Sequence, residues 1–314
     1  MGLIPNPLNL AVAGDGTSIR TGGSPYGIKT CDYRKNGTFN CDCSRRFADP
    51  QANWGWDSHR KEYLYGYMLY ELIAVETPHS LPIYLRFGQA ARHDSVLGVV
   101  ALAETRHIYQ NLRIGKFLGD SAHDAYAYYE LLKFWPIEPF IDLNNRNKGH
   151  FKCTPPFHVT ENGVPACPAG CEMVFKGYDK ARDRMKWRCP LIAGSKSIKA
   201  QVSCDTPCSP SDYGRTVYTK PADDLRIFTP TPRESEEWKI IYNMRSGAER
   251  SFSRLKKDYN IEESKIRRVR SLKAWCYRAH LVAMNQHLDA WVEHAKEKGL
   301  NIWAEIAGDT AKVA

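Results

Sequence analysis

No run of 18 apolar residues occurs in this 314-residue chain, and no charged segment leading into an apolar one opens it. Neither a membrane-spanning helix nor a secretory leader is expected, and the reading is a soluble, cytoplasmic protein with no membrane partner. Acids are in short supply: 35 Asp and Glu stand against 44 Lys and Arg, a formal net charge of +9. That deficit favours a polyanionic partner. The density of a disulfide scaffold is missing too, since ten cysteines in a chain of this length read as thiols or metal ligands in a reducing compartment. What is present is ordinary for a globular protein, 43% hydrophobic and 25% charged residues, enough for one large core or two modest ones.

The surplus positive charge is concentrated. Between Lys239 and Arg278 twelve cations face four acids. One-sign charge at that density is costly without a counterion, which points to nucleic acid.

The same region holds the most informative stretch, Tyr242 to Lys256. Ser235 is a candidate N-cap, Glu236 and Glu237 follow it, no proline interrupts the run, and a single helix is predicted. At about 100° per residue, Tyr242, Arg245, Glu249 and Lys256 fall within roughly 60° of one face. A solvated face of weak ion pairs is the alternative reading of that arrangement.

Upstream, Leu8 to Ala13 reads as a buried strand delivering Asp15 at its end, in Gly14-Asp15-Gly16-Thr17, with a turn-forming role as the alternative. Residues 21–60, with Cys31, Cys41 and Cys43, form a hairpin or loop excursion. Tyr63 to Val75 and Leu81 to Phe87 read as an antiparallel pair. Asp94 or Ser95 caps a helix from Val96 to Gln110 with Leu97, Val100, Ala101 and Ile108 inward. Lys116 to Leu118 is a short strand feeding Gly119-Asp120-Ser121-Ala122-His123-Asp124, followed by a helix from Ala125 to Phe134. A strand that runs directly into a helix places Asp120 at the carboxyl edge of a sheet, where ligands bind. Asp124 is a helper or cap, its use as the ligand being the alternative. Ile137 to Leu143 suggests a further strand.

An insert over residues 148–225 contains Cys153, Cys167, Cys171, Cys189, Cys204 and Cys208. The pairs Cys167/Cys171 and Cys204/Cys208 could hold a structural zinc that staples a small β-rich unit; buried apolar thiols are the alternative. Ser271 to Ala295 is a second long helix with Leu272, Trp275, Ala279, Val282, Leu288 and Trp291 inward, and residues 301–314 form a tail.

The spacing Tyr242, two residues, Arg245, three, Glu249, six, Lys256 resembles the Tyr-Arg-Glu-Lys signature of one branch of the DDE transposases of bacterial insertion sequences. Gly66-Tyr67, His93-Asp94-Ser95 and the Gly119 to Asp124 segment occupy places similar to family motifs, with Met68 where the family usually has Lys. The resemblance runs from residue 8 to about 292. It implies an α/β, RNase H-like fold, a mixed sheet flanked by helices, with a Cys-containing β-rich insertion before the helix that carries the last acid. Residues 1–147 would form the first part of the catalytic core, 148–225 the inserted subdomain, and 226–300 the rest of the core with the signature helix and a basic helical region. The resemblance also implies Asp15, Asp120 and Glu249 as catalytic, metal-binding acids for two Mg²⁺ or Mn²⁺ ions, which suit hard carboxylate oxygens. Tyr242, Arg245 and Lys256 would bind DNA phosphates near the cut, while Arg254, Arg267, Arg268 and Arg270 hold flanking duplex. The implied activity is DNA cleavage at transposon ends and strand transfer, with double-stranded DNA as partner, a homodimer on DNA, and association with the bacterial nucleoid. Because the first strand begins almost at Met1, a chain without the family's N-terminal end-binding region is expected. Two other readings stand beside this one: a catalytically silent, truncated DNA-binding derivative that inhibits transposition, and a host nuclease of similar fold.

Overall fold

The computed structural model describes residues 3–4, 6–147, 151–152, 156–205, 208–233, 235–262 and 270–301. In chain order the strands and helices are β1 (Leu10–Arg20), β2 (Ile28–Lys29), β3 (Arg45–Arg46), β4 (Asn53–Asp57), β5 (Glu62–Ala74), β6 (Leu81–Gln89), α1 (Asp94–Ile108), β7 (Ile114–Gly119), α2 (Tyr126–Phe134) and β8 (Glu138–Ile141). There follow β9 (Val174–Asp179), β10 (Arg184–Arg188), α3 (Pro190–Ala193), α4 (Lys196–Gln201), β11 (Thr216–Thr219), α5 (Glu236–Asn243), α6 (Ser246–Ser253) and α7 (Leu272–Glu297). Contacts divide the chain into two compact bodies, one built from residues up to Arg113 together with those from Ser246 onward, the other from Ile114–Arg245.

In the first body β5 is the central strand. It pairs antiparallel with β1, from Val12 opposite Ala74 to Arg20 opposite Gly66, with β6 from Tyr67 opposite Gln89 to Ala74 opposite Leu81, and with β4 at its start. Aromatic and branched residues fill this strand, and most of it is buried, as expected of a strand covered on both faces. Tyr65, Tyr67 and Leu69 of β5 and Leu85 and Phe87 of β6 form one core with Leu255, Ile261 and α7 residues Trp275, Ala279, Val282 and Ala283. Each such large side chain removed from water contributes roughly 1.5–3 kcal/mol. Gly66 permits the closest approach of β1, because a Cβ there would lie 2.1 Å from the Ile19 carbonyl oxygen.

Three expectations change in this body. β1 does not stop at the Gly-Asp-Gly segment but runs on to Arg20, so Asp15 lies in mid-strand; ladder pairing with β5 overrides the turn chemistry. The cap of α1 is His93, whose Nδ1 accepts from the Ser95 amide at 3.3 Å, and Asp94 falls within the first turn. Ile108 on α1 and Leu288 on α7 are exposed, while Leu102, Thr105, Ala283 and Gln286 take the inward positions.

In the second body β7 and β8 are parallel, Lys116 opposite Glu138 through Gly119 opposite Ile141, with α2 between them in sequence. Residues of the insert form an antiparallel sheet in the order β11-β10-β9. It has a core of its own, including Val164, Met173, Met185, Trp187, Val217 and Phe228, so this unit does not depend on a metal for want of apolar contacts. Long antiparallel strands, then a helix, then a parallel strand–helix–strand unit, then further helices give the mixed α/β order expected of an RNase H-like fold.

Candidate active site

In the first body Asp15 is half-buried on β1 and sits opposite Glu71 of β5. Register partners project to the same face of an antiparallel pair with Cβ atoms about 5 Å apart, so two carboxylates are neighbours in the middle of the sheet. Glu71 is fully buried. Its Oε2 accepts a hydrogen bond of 2.8 Å from the Ser251 hydroxyl of α6, and its Oε1 is buried with no hydrogen-bond partner among the described residues. Burial pushes the Glu71 carboxyl up to about 7; the Ser251 hydrogen bond and the Arg254 charge pull against that rise, and the Asp15 charge adds to it.

The Ser251 bond also shows that α6 covers the face of β1 and β5 on which Asp15 and Glu71 project. Glu249 is carried by this helix and is exposed, whereas Gly247, Ala248 and Ser251 are buried against the strands. A Cβ at Gly247 would come within 2.8 Å of Ser80 Oγ, so glycine sets how closely α6 approaches the turn before β6. Asp94 serves the other face: a Cβ at Gly16 would lie 2.3 Å from its Oδ1, and successive residues of a strand point to opposite sides.

In the second body Asp120 follows β7 directly and caps the 3₁₀ turn Ser121–His123, accepting from the Ala122 amide at 3.0 Å. His123, wholly buried between Phe117 and Tyr128, places Nδ1 2.9 Å from Asp120 Oδ1. Partial burial alone would raise the Asp120 pKa, but the His123 hydrogen bond and charge, the Ala122 amide and the Arg245 charge outweigh it and hold the carboxyl below the ordinary aspartate value. Asp142 follows β8 just as Asp120 follows β7, and its amide donates to the Gly119 carbonyl at 3.3 Å. Two acids therefore stand at the carboxyl ends of adjacent parallel strands. Tyr242 of α5 stacks on Trp238 with ring centroids 4.4 Å apart, and the Arg245 guanidinium lies 6.0 Å from the Tyr242 centroid. Burial pushes the Tyr242 phenol up to about 12; Arg245 opposes this, and the charges of Asp142 and Asp120 add to it. Tyr242, Arg245, Asp120 and Asp142 thus share one electrostatic neighbourhood.

Asp124 is not available as a metal ligand. Its two oxygens accept from Arg226 Nε at 2.8 Å and Nη2 at 2.7 Å, from the Tyr129 hydroxyl at 3.0 Å and from the Asn144 amide at 2.7 Å, all in the interior.

The stretch Tyr242 to Lys256 is not the single helix expected. α5 ends at Asn243, α6 begins at Ser246, and Arg254–Asp258 widens into a π turn closed by the Tyr259 amide on the Arg254 carbonyl at 3.0 Å. Ser235 does cap α5, accepting from the Trp238 amide at 3.2 Å. The π turn buries Leu255 and sends Lys256 to the Ser18 carbonyl at 3.2 Å; burial holds the Lys256 ammonium below its ordinary pKa, with Glu262 opposing. Arg254 is turned inward, donating to the Ser80 carbonyl at 2.7 Å and to Gln286 Oε1 at 3.0 Å. Arg270 is exposed, and Arg267 and Arg268 lie outside the described residues.

Sequence reasoning missed Glu71, His123 and Asp142. The signal that could have found Glu71 is an acid deep within a largely apolar strand, and for Asp142 its place just after a strand end, as for Asp120. The insert's Cys167, Cys171, Cys189, Cys204 and Cys208 line one cavity of about 370 Å³. Cys171 lies close enough to Cys167 for a side-chain hydrogen bond and feels the charges of Cys204 and Cys189, while among the described residues no three of these sulfurs all lie within 4.8 Å of one another.

Among solved structures the chain is similar to piggyBac transposase in a cryo-EM structure of its synaptic complex with hairpin DNA, at 11% identity and a TM-score of 0.39, covering 94% of this chain and 49% of that one. The chain thus spans about half the length of that relative. No curated protein matches it. No helix among the described residues is long and apolar enough to cross a membrane. Residues 8–285 match the family described as the transposase DDE domain, which is most of the chain, and the protein belongs to that family.

Proposed function

We propose that this protein cleaves DNA at the ends of a transposable element and joins the freed 3′ end to target DNA, with Asp15, Asp120 and Glu249 as its metal-binding acids. The observation that carries the reading is the origin of these acids within a matched transposase domain: mid-strand on β1, at the carboxyl end of β7, and on the helix α6 that packs over β1.

The residues suit a hard divalent cation. All the donors are carboxylates, and around Asp15 a second carboxyl, Glu71, is kept partly protonated by burial and by the Asp15 charge, an imbalance that a cation relieves. Mg²⁺ or Mn²⁺ held there would stabilise the attacking and leaving oxygens of phosphodiester displacement. His123 fixes the Asp120 carboxylate through its ring nitrogen. Arg245 and Tyr242 supply a guanidinium and a phenol to the phosphate backbone beside Asp120, and Lys256 and Arg270 supply further positive charge, which positions duplex without reading its sequence. A dimer would bring two element ends together.

The test is a nicking and joining assay on duplex carrying the element's terminal sequences, with Mg²⁺, for the wild type and for Asp15→Asn, Asp120→Asn and Glu249→Gln. Each variant is expected to lose more than roughly 100-fold in cleavage, since even groups that only orient a metal ligand are worth about 10- to 100-fold, while still retarding the same duplex in gels. Metal-independent retention of DNA with no nicking by the wild type would instead identify a silent DNA-binding derivative.

A further inference from the structure

The excursion between β1 and β4 carries a site that the transposase chemistry does not use. β2 and β3 pair only at Ile28 with Arg46 and Lys29 with Arg45, and the Thr30 hydroxyl donates to the Ser44 carbonyl at 3.0 Å to close the loop between them. From Ile28 to Ala48 no residue is buried; the half-buried ones are Lys29, Cys31, Cys41 and Cys43. A loop of this length without apolar contacts lacks the usual means of holding its shape. Its interior consists of three thiols.

The three Sγ atoms all lie within 4.8 Å of one another, and Cys31 and Cys41 are 3.5 Å apart. Zinc with bonds of about 2.3 Å in a tetrahedron separates its sulfurs by about 3.8 Å, which matches this cluster, whereas a disulfide requires about 2.05 Å and would strand the third thiol. Lys29 Nζ lies 3.2 Å from Cys41 Sγ and donates to the Phe39 carbonyl at 2.7 Å. Its charge offsets the net negative charge of a divalent ion bound by three thiolates.

We propose that Cys31, Cys41 and Cys43 bind one Zn²⁺, with water as fourth ligand, and that this ion holds the β2–β3 loop and its exposed cations Arg34, Lys35, Arg45 and Arg46 in a fixed shape. The site is separate from the carboxylate centre, so its success or failure leaves the transposase reading untouched.

The test uses the full chain purified in reductant and loaded with Zn²⁺ or Co²⁺. Metal analysis is expected to find one equivalent that disappears in Cys31→Ser and in Cys43→Ser but survives in Cys171→Ser, and the Co²⁺ form is expected to show thiolate-to-metal charge transfer that follows the same pattern. On the unsubstituted protein, a chelator is expected to speed tryptic cleavage after Arg34 and Lys35 by at least about 10-fold, the expected effect of releasing a stapled loop. The proposal is overturned if no metal is retained, if the Cys43→Ser protein keeps the full equivalent and spectrum, or if the chelator leaves cleavage at Arg34 and Lys35 unchanged. A Cys31–Cys41 disulfide recovered from the reduced preparation would also overturn it.

Discussion

A carboxyl whose folded pKa lies near 7 against an ordinary 4.5 binds a proton in the native state that the unfolded chain releases. For Glu71 the stability it permits is therefore fully present below about pH 4.5 and is lost as pH rises through about 7. Glu71→Gln, which stays neutral, should unfold at higher urea than the wild type at pH 8 and at nearly the same urea at pH 5 in the presence of chelator. The difference at pH 8 should reach at most about 3 kcal/mol; equal midpoints at both pH values would refute the burial argument. Asp124 makes the opposite case, because its charge is matched by Arg226. Asp124→Ala leaves a guanidinium in the interior and should cost roughly 3–5 kcal/mol in denaturant titration. Asp120 was legible in the sequence because a strand-end acid has a recognisable setting. Glu71 was not, since a reading by apolarity treats a single acid within a strand as noise, and only the register with Asp15 reveals what it does.

The strands were the most legible elements. Aromatic and branched runs identified β5 and β6, and antiparallel pairing follows from the short polar link between them. The stretch from Tyr242 to Lys256 was less so. A run with no proline and one glycine gives no sign of a break, yet α5 ends at Asn243, and the chain widens after Ser253 where Leu255 and Ile261 reach the core shared with Trp275. Helical spacing therefore grouped four side chains of which α5 carries Tyr242, the link before α6 carries Arg245, α6 carries Glu249 and the π turn carries Lys256. Gly247, the one glycine of that run, is the contact point of α6. In Gly247→Val the new Cβ would start 2.8 Å from Ser80 Oγ and 3.0 Å from Val75 Cγ1, and thermal unfolding should register an overpacking penalty of about 1–3 kcal/mol.

At the scale of the molecule, the charge count pointed to DNA, and several of the cations counted also serve the fold. Arg250, Arg254, Lys256 and Arg278 from the basic segment all donate to groups of the fold. Arg270 is exposed. Duplex affinity should fall steeply with salt, and Arg270→Ala should flatten the log–log slope by about 1 with little dependence on sequence, as for loss of one phosphate contact. Titrations at several salt concentrations would measure this, and an unchanged slope would remove Arg270 from the interface.

The first body is assembled from the beginning and the end of the chain, with Ile114–Arg245 lying between them in sequence. On the ribosome, β5 and β6 emerge long before Trp275, Ala279 and Val282 exist to cover their aromatic face. Messages interrupted anywhere between β8 and α7 should therefore yield products that precipitate or are degraded, and a chaperone holding the nascent strands would be needed until the last helix is made.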